Sequence, residues 1–171
     1  MAAGNTYDAI ATQTLSSAAA TVTFSSIPGT YTDLVLVAQA RSARAAADDS
    51  LYIQVNGDTA SNYSVTDLKG RAGVASSSRA SAQTKMVVAN NIVAASGTAN
   101  VFDVVTSNFM NYSNATTNKT VLCRASSAEQ EVAALVNLWR STSAITQIVI
   151  YCASANIAAG STFTLYGIAS A

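Results

Sequence analysis

Residues 31–64 constrain the fold more than any other stretch, because two strand-like runs in it enclose one charged connection. Residues 34–39 are apolar at nearly every position, which is typical of a strand covered on both faces. Residues 51–55 alternate between apolar and polar side chains, as a strand with one buried face does. Asn56-Gly57 follows and suits a tight turn, since both residues tolerate a positive φ. The stretch predicts two sheet strands that present a loop, residues 41–50.

The same alternation, separated by small polar turn residues, recurs along the rest of the chain. It is clearest in residues 145–152 and 162–168, and no repeated strand–helix pattern is present. We therefore predict an all-β protein, an antiparallel two-sheet β-sandwich of jelly-roll type with about ten short strands. Residues 1–6 are predicted to be a flexible arm, and residues 7–171 a single domain.

Two segments are less regular. Residues 69–84 have almost no bulky apolar side chains and are predicted to be a long surface loop. Residues 128–138 fit either two turns of helix or a strand, and we favour a strand over 132–139. In that strand Val132, Ala134, Val136 and Leu138 would share one face. The predicted core residues are Leu34, Leu36, Ile53, Phe102, Ile148, Ile150 and Leu165.

The charge content limits the possible partners. Only 11% of the residues are charged, and nine basic residues balance nine acidic ones. Phosphate binding needs clustered Lys and Arg, so we expect no nucleic-acid partner. The start of the chain lacks a basic and apolar leader, and no apolar run is long enough for a bilayer. We expect no membrane partner and assembly in a cytoplasm, as a subunit of a larger particle.

The sequence offers little for catalysis. It contains no histidine and no nucleophile, zinc or phosphate-loop motif. Asp48, Asp49 and Asp58 could supply oxygen to a calcium ion, but they lack a regular ligand spacing. Cys123 and Cys152 could be free buried thiols or a disulfide. We predict a non-enzymatic protein without a cofactor or a metal site.

The predicted interface residues are Arg41, Arg44, Asp48 and Asp49 in the 41–50 loop, with the dipeptide Trp139-Arg140. Arginine is enriched at protein interfaces, and these arginines could meet carboxylates of a partner. The alternative is that Arg41 and Arg44 only pair with Asp48 and Asp49, which stabilises an exposed loop little. For Trp139, the alternative is a position in the core, which the residue type slightly favours.

Four runs of the sequence resemble a domain of the structural proteins in tailed-bacteriophage particles, especially phages of cyanobacteria and marine bacteria. They are ATQTLSSAAATVTFSSIPGTYTDLVLVAQARS (11–42), LYIQVNGDTASNYS (51–64), NLWRSTSAITQIVIY (137–151) and GSTFTLYGI (160–168). The resemblance implies a non-enzymatic β-sandwich in a virion. It supplies no residue-level site.

Within that family, a compact and nearly neutral domain suits a capsid decoration (cement) protein. Such a protein would bind the outside of the phage head and bridge subunits of the major capsid protein, and we expect it to form a homotrimer. The alternative is a tail-fibre or baseplate tip that recognises host-surface glycans, with Tyr52, Tyr63, Tyr112 and Trp139 as stacking residues.

Overall fold

The computed structural model describes residues 6–169, which form twelve strands and no helix. In chain order the strands are β1 (Tyr7–Thr14), β2 (Val22–Phe24), β3 (Asp33–Ala40), β4 (Asp48–Val55), β5 (Tyr63–Arg71), β6 (Val74–Gln83), β7 (Met86–Val93), β8 (Asp103–Phe109), β9 (Lys119–Ser126), β10 (Val132–Trp139), β11 (Ile148–Cys152) and β12 (Thr162–Ile168). Within this described part, no helix is long and apolar enough to cross a membrane. The predicted arm lies outside the described residues, apart from Thr6.

The strands form two antiparallel sheets, which confirms the predicted β-sandwich. The larger sheet has the order β1-β12-β3-β8-β9-β10-β5-β6, and the smaller sheet has the order β2-β11-β4-β7. The first four strands of the larger sheet and the whole smaller sheet have the nested pairing of an eight-stranded jelly roll. The other four strands, β9, β10, β5 and β6, continue the larger sheet beyond β8. We call these four strands the extension.

The core lies between the sheets and is lined by alternate residues of the strands. Burial alternates residue by residue in β4, β11 and β12, where the sequence alternates most clearly. Every predicted core residue except Phe102 is at most 2% exposed. Phe102 is half-buried, because β8 begins one residue later and the Phe102 ring lies over Gly160. A Cβ added at Gly160 would lie 3.0 Å from the Cζ atom of Phe102.

The prediction of a loop over residues 69–84 is wrong. β5 continues to Arg71, Ala72-Gly73 forms a turn, and β6 returns from Val74. Ala72 and Gly73 have φ values of 50° and 79°, the positive values that a two-residue hairpin turn of type I′ requires. β6 is the edge strand of the larger sheet and is exposed along nearly its whole length. Because neither face of β6 is buried, its sequence has no hydrophobic period.

Two further strand predictions have clear outcomes. The preference for a strand over 132–139 is confirmed by β10. The expectation that residues 34–39 are covered on both faces holds only in part, because Gln39 is exposed and Val37 is half-buried. On the face of β3 that points away from the core, Val35 is buried, Val37 is half-buried and Gln39 is exposed.

The Asn56-Gly57 turn is confirmed, with φ values of 52° and 67°. It carries the chain from β4 in the smaller sheet toward β5 in the larger one. The Asn56 side chain fixes the turn in place, since its oxygen accepts hydrogen bonds from the amides of Thr146 (2.9 Å) and Gln147 (3.1 Å).

Candidate interaction surface

Arg41 follows β3 directly, and its side chain is enclosed by the connection between β7 and β8. The residue is 9% exposed. Its guanidinium donates hydrogen bonds to the carbonyl oxygens of Ala94 (2.7 Å), Thr98 (2.6 Å) and Val101 (2.9 Å). It also donates to the carbonyl of Gly97 (3.0 Å). Arg41 holds this connection together, and its guanidinium is not free for the predicted partner contact.

Asp49 is a buried acceptor, and Asp48 is part of a surface ion pair. Asp49 is 2% exposed and accepts hydrogen bonds from the Ser42 hydroxyl (2.8 Å) and the Ser50 amide (2.9 Å). Both aspartates belong to β4, so the predicted 41–50 loop ends earlier, at residue 47. Asp48 lies 4.0 Å from Arg44 and forms an ion pair with Arg71. The alternative of an internal pair therefore applies to Arg44 with Asp48 alone.

Trp139 belongs to the core, which was the alternative to an interface position. It is 3% exposed, and its ring stacks on Tyr63 with a centroid distance of 6.5 Å. Its Nε1 atom donates a hydrogen bond to Asp58 Oδ2 at 2.7 Å. Burial alone would raise the pKa of Asp58, but the hydrogen bonds from Trp139, Asn62 and the Ala60 amide outweigh it and lower that pKa. Asp58 therefore ties the turn after β4 to the core.

Of the six predicted interface residues, only Arg44 and Arg140 are exposed. The structure brings Arg44 and Asp48 together, but it places Arg140 after β10, next to a buried Trp139. These residues do not form one surface. The predicted site is instead dispersed between internal hydrogen bonds and two separate exposed arginines.

The buried carboxylates act as internal acceptors. Asp67 accepts hydrogen bonds from the Ser78 hydroxyl (2.7 Å) and the Asn90 side chain (2.9 Å). Glu131 accepts from the amides of Asn90 and Asn91, each at 3.1 Å. Across residues 6–169, no three His, Cys, Asp or Glu side chains come together as a possible metal site.

The two cysteines are free and buried, so the structure contains no disulfide between Cys123 and Cys152. Burial raises the pKa of each thiol to about 12. The thiolate is the nucleophilic form of cysteine, and at neutral pH it is scarcely populated here. Neither thiol is suited to act as a nucleophile.

The extension has an exposed apolar surface that faces away from the smaller sheet. We call this surface, together with the adjoining side of β8, the outward face. Strand register arranges it in three rows across β8, β9, β10, β5 and β6. The first row holds Val104, Ser126, Val132, Gly70 and Ala75; the second holds Thr106, Arg124, Ala134, Leu68 and Ser77; the third holds Asn108, Leu122, Val136, Thr66 and Arg79.

Five large aliphatic side chains of the outward face are open to solvent. The exposed fractions are 61% for Leu68, 45% for Val104, 44% for Leu122, 63% for Val132 and 47% for Val136. Isolated exposed aliphatic residues are ordinary, but a contiguous group on one sheet face is typical of a contact surface. The outward face is therefore the candidate interaction surface of this protein.

Arg124 lies in the middle row of the outward face, between Thr106 of β8 and Ala134 of β10. Two adjoining open grooves of about 400 Å³ and about 560 Å³ share Leu68, Arg124 and Ala134 as lining residues. Arg124 is exposed, and its guanidinium has no hydrogen-bond or ion-pair partner among residues 6–169. A cation surrounded by aliphatic groups and left unpaired is available to a partner.

The sequence analysis did not single out Leu68, Leu122 or Arg124. A usable signal was present in β10, which carries apolar residues on both faces, and in the single Leu122 of β9. In β9 the inward Val121 and Cys123 are buried, while Leu122 on the opposite face is not. A strand that is apolar on both faces, in a sandwich with one core, must expose one of them unless something else covers it.

Comparisons with known proteins identify no family. No protein-family model matches the chain, and no curated protein matches it. Among solved structures, galectin LEC-6 of Caenorhabditis elegans aligns with a TM-score of 0.36 and 14% identity, over 90% of this chain and 94% of that one. Scytalido-glutamic peptidase with a peptide-based transition state analogue aligns with a TM-score of 0.29 and 11% identity, over 90% of this chain and 66% of that one. At these scores, neither protein's properties are transferred to this chain.

Proposed function

We propose that this chain is a non-enzymatic structural protein of a tailed-bacteriophage virion. More specifically, we propose a capsid decoration protein that binds the outside of the head and bridges subunits of the major capsid protein. The observation that carries the proposal is the outward face, with five exposed aliphatic side chains on one side of a rigid sheet. The sequence resemblance to virion structural proteins supports the same function.

The mechanism would be binding to the assembled shell alone. A ligand that binds only one state stabilises that state by RT ln(1 + [L]/Kd), so the resistance of the shell to heat would rise as the concentration of free protein exceeds Kd. Several contacts around a symmetry axis would act together, and avidity would replace high affinity at each site. No chemical step is required.

The distribution of aromatic residues favours this function over a glycan-binding tip. Of the four proposed stacking residues, Tyr63, Tyr112 and Trp139 are at most 3% exposed. Tyr52 is half-buried and contacts the Tyr151 ring edge-on, with a centroid distance of 5.7 Å. Of the four rings proposed for stacking, a sugar would therefore find only one partly open.

The test is binding to purified shells assembled from the major capsid protein. We expect saturable binding, measured by co-sedimentation, and a higher shell melting temperature with increasing occupancy. Failure to bind shells, together with binding to host cells or isolated surface glycans, would replace the proposal with the tail-tip function.

A homotrimer is part of the proposal. A neutral domain that is half apolar is expected to bury surface between copies in closed cyclic symmetry, and the number of three copies rests on the sequence resemblance. Light scattering at micromolar concentration should give three times the mass of one chain. A monomer at that concentration would contradict this part and leave the shell-binding test unaffected.

A further inference from the structure

The arginines of the described chain fall into two groups by the partners they have. Arg41, Arg44 and Arg71 donate hydrogen bonds to backbone or side-chain oxygens of the same molecule. Arg79, Arg124 and Arg140 are exposed and have no such partner among the described residues, and the first two belong to the outward face. The outward face therefore carries two of the three arginines of the described chain that internal contacts leave free, and Arg140 lies apart from it, directly after β10.

The outward face carries no compensating negative charge. None of the fifteen residues in its three rows is an aspartate or a glutamate. Asp67 and Asp103 lie on β5 and β8, but their side chains are buried on the opposite side of the sheet. The surface is thus apolar and cationic, with Arg124 at its centre.

This charge pattern decides between two possible occupants. A second copy that met the outward face with its own outward face would bring unpaired arginines together, and like charges across an interface are costly. A surface with carboxylates among apolar groups would match both features. Arginine is the residue that forms a bidentate, two-bond contact with a carboxylate, and the aliphatic rows around it would exclude water.

We propose that the outward face docks on an apolar protein surface of the shell that presents a carboxylate, and that Arg124 receives this carboxylate. The inference rests on the proposed function and names the contacting face and the chemistry of its partner. Arg124 is the anchor because it lines both grooves, and Leu68, Leu122, Val132 and Val136 surround it.

The experiment compares Arg124→Gln with Arg44→Gln on the same purified shells. Both variants remove one positive charge from an exposed arginine, and Arg44 belongs to the connection that the sequence favoured. We expect Arg124→Gln to weaken shell binding about 10- to 100-fold, the range for a central interface arginine, and Arg44→Gln to change it less than about twofold. Arg124→Lys keeps the charge but not the fork of donors, so it should restore only part of the affinity.

The outcomes separate the inference from the proposed function. If the unmodified protein binds shells and Arg124→Gln binds equally well, the assignment of Arg124 is overturned and shell binding stands. Equal weakening by Arg44→Gln would reduce the effect to net charge and also overturn it. If Arg124→Gln instead dissociates the oligomer, the outward face contacts another copy. Failure of the unmodified protein to bind shells overturns both the function and the inference.

Discussion

Arg41, at the end of β3 in the jelly roll, and Arg124, in the middle of β9 in the extension, have opposite surroundings. Arg41 is buried and donates to four carbonyl oxygens within 3.0 Å, whereas Arg124 is exposed and donates to none of the described residues. The sequence makes Arg41 the more conspicuous residue, because other charges lie near it. The comparison teaches that a cluster of charges often serves the fold, and that an unpaired charge is the better sign of a contact.

The largest expected difference is in stability after loss of each side chain. Arg41→Ala should lower the free energy of unfolding by about 3–5 kcal/mol, because one buried and three part-buried carbonyls lose their charged donor. Arg124→Ala should change it by less than about 0.5 kcal/mol, as exposed substitutions do. Urea denaturation of both variants measures the contrast. Similar losses for the two would mean that Arg124 has an internal partner after all.

The two faces of β10 provide the second contrast. Leu135 is 1% exposed and directed to the core. Leu135→Ala should lower the free energy of unfolding by about 2–5 kcal/mol. Its neighbour Val136 points outward, and Val136→Thr should cost less than about 0.5 kcal/mol while weakening shell binding. Thermal unfolding and shell co-sedimentation separate the two effects. A large loss of stability in Val136→Thr would show that the outward face is covered within the monomer.

The smallest expected effect concerns Asp58, whose half-buried carboxylate accepts hydrogen bonds from Trp139, Asn62 and the Ala60 amide. Its pKa is lowered in the folded state, so its contribution is present above the ordinary value of 3.8 and is lost as pH falls through the folded-state pKa. Asp58→Asn should destabilise the protein by about 1–2 kcal/mol at pH 7, and the difference should shrink below about pH 4. Stability curves from pH 2 to pH 8 measure this.

Asp8→Asn is the matched control, because the Asp8 carboxylate has no hydrogen-bond partner among residues 6–169. It should change stability by less than about 0.5 kcal/mol. A loss for Asp58→Asn that persisted unchanged at pH 2.5 would show that the carboxylate charge is not what stabilises the turn.

Sequence reasoning succeeded where one face of a strand is buried and the other is not. β4, β11 and β12 have that character, and their alternation predicted them. It failed at β6, the edge strand of the larger sheet. Neither face of β6 is buried, so its sequence does not alternate between apolar and polar residues. Its Ala72-Gly73 turn was available as a signal, but alanine is an unusual residue at a positive φ.

The candidate site was predictable only in its ingredients. Arginine was expected at the contact, but beside Asp48 and Asp49 in a charged loop instead of among the aliphatic side chains of a sheet. Arg41 is enclosed by the connection between β7 and β8, which is distant in sequence from β3, and Arg124 has no hydrogen bond to such a segment among the described residues. For β10, both alternating sets are apolar enough to be the buried one, and only its packing against β7 selects Leu135 over Val136.

The strand order also has a consequence for how the chain folds. β8, β9 and β10 are consecutive in sequence and adjacent in the sheet, so their pairing closes short loops. The pairing of β3 with β12 closes a much longer loop and is therefore expected to be slower. We expect the β8–β10 meander to form early and the β1-β12-β3 part to complete the sheet late. The apolar rows that start on this meander would then be exposed while the rest of the sheet forms, and the charge of Arg124 at their centre would oppose premature association between nascent chains.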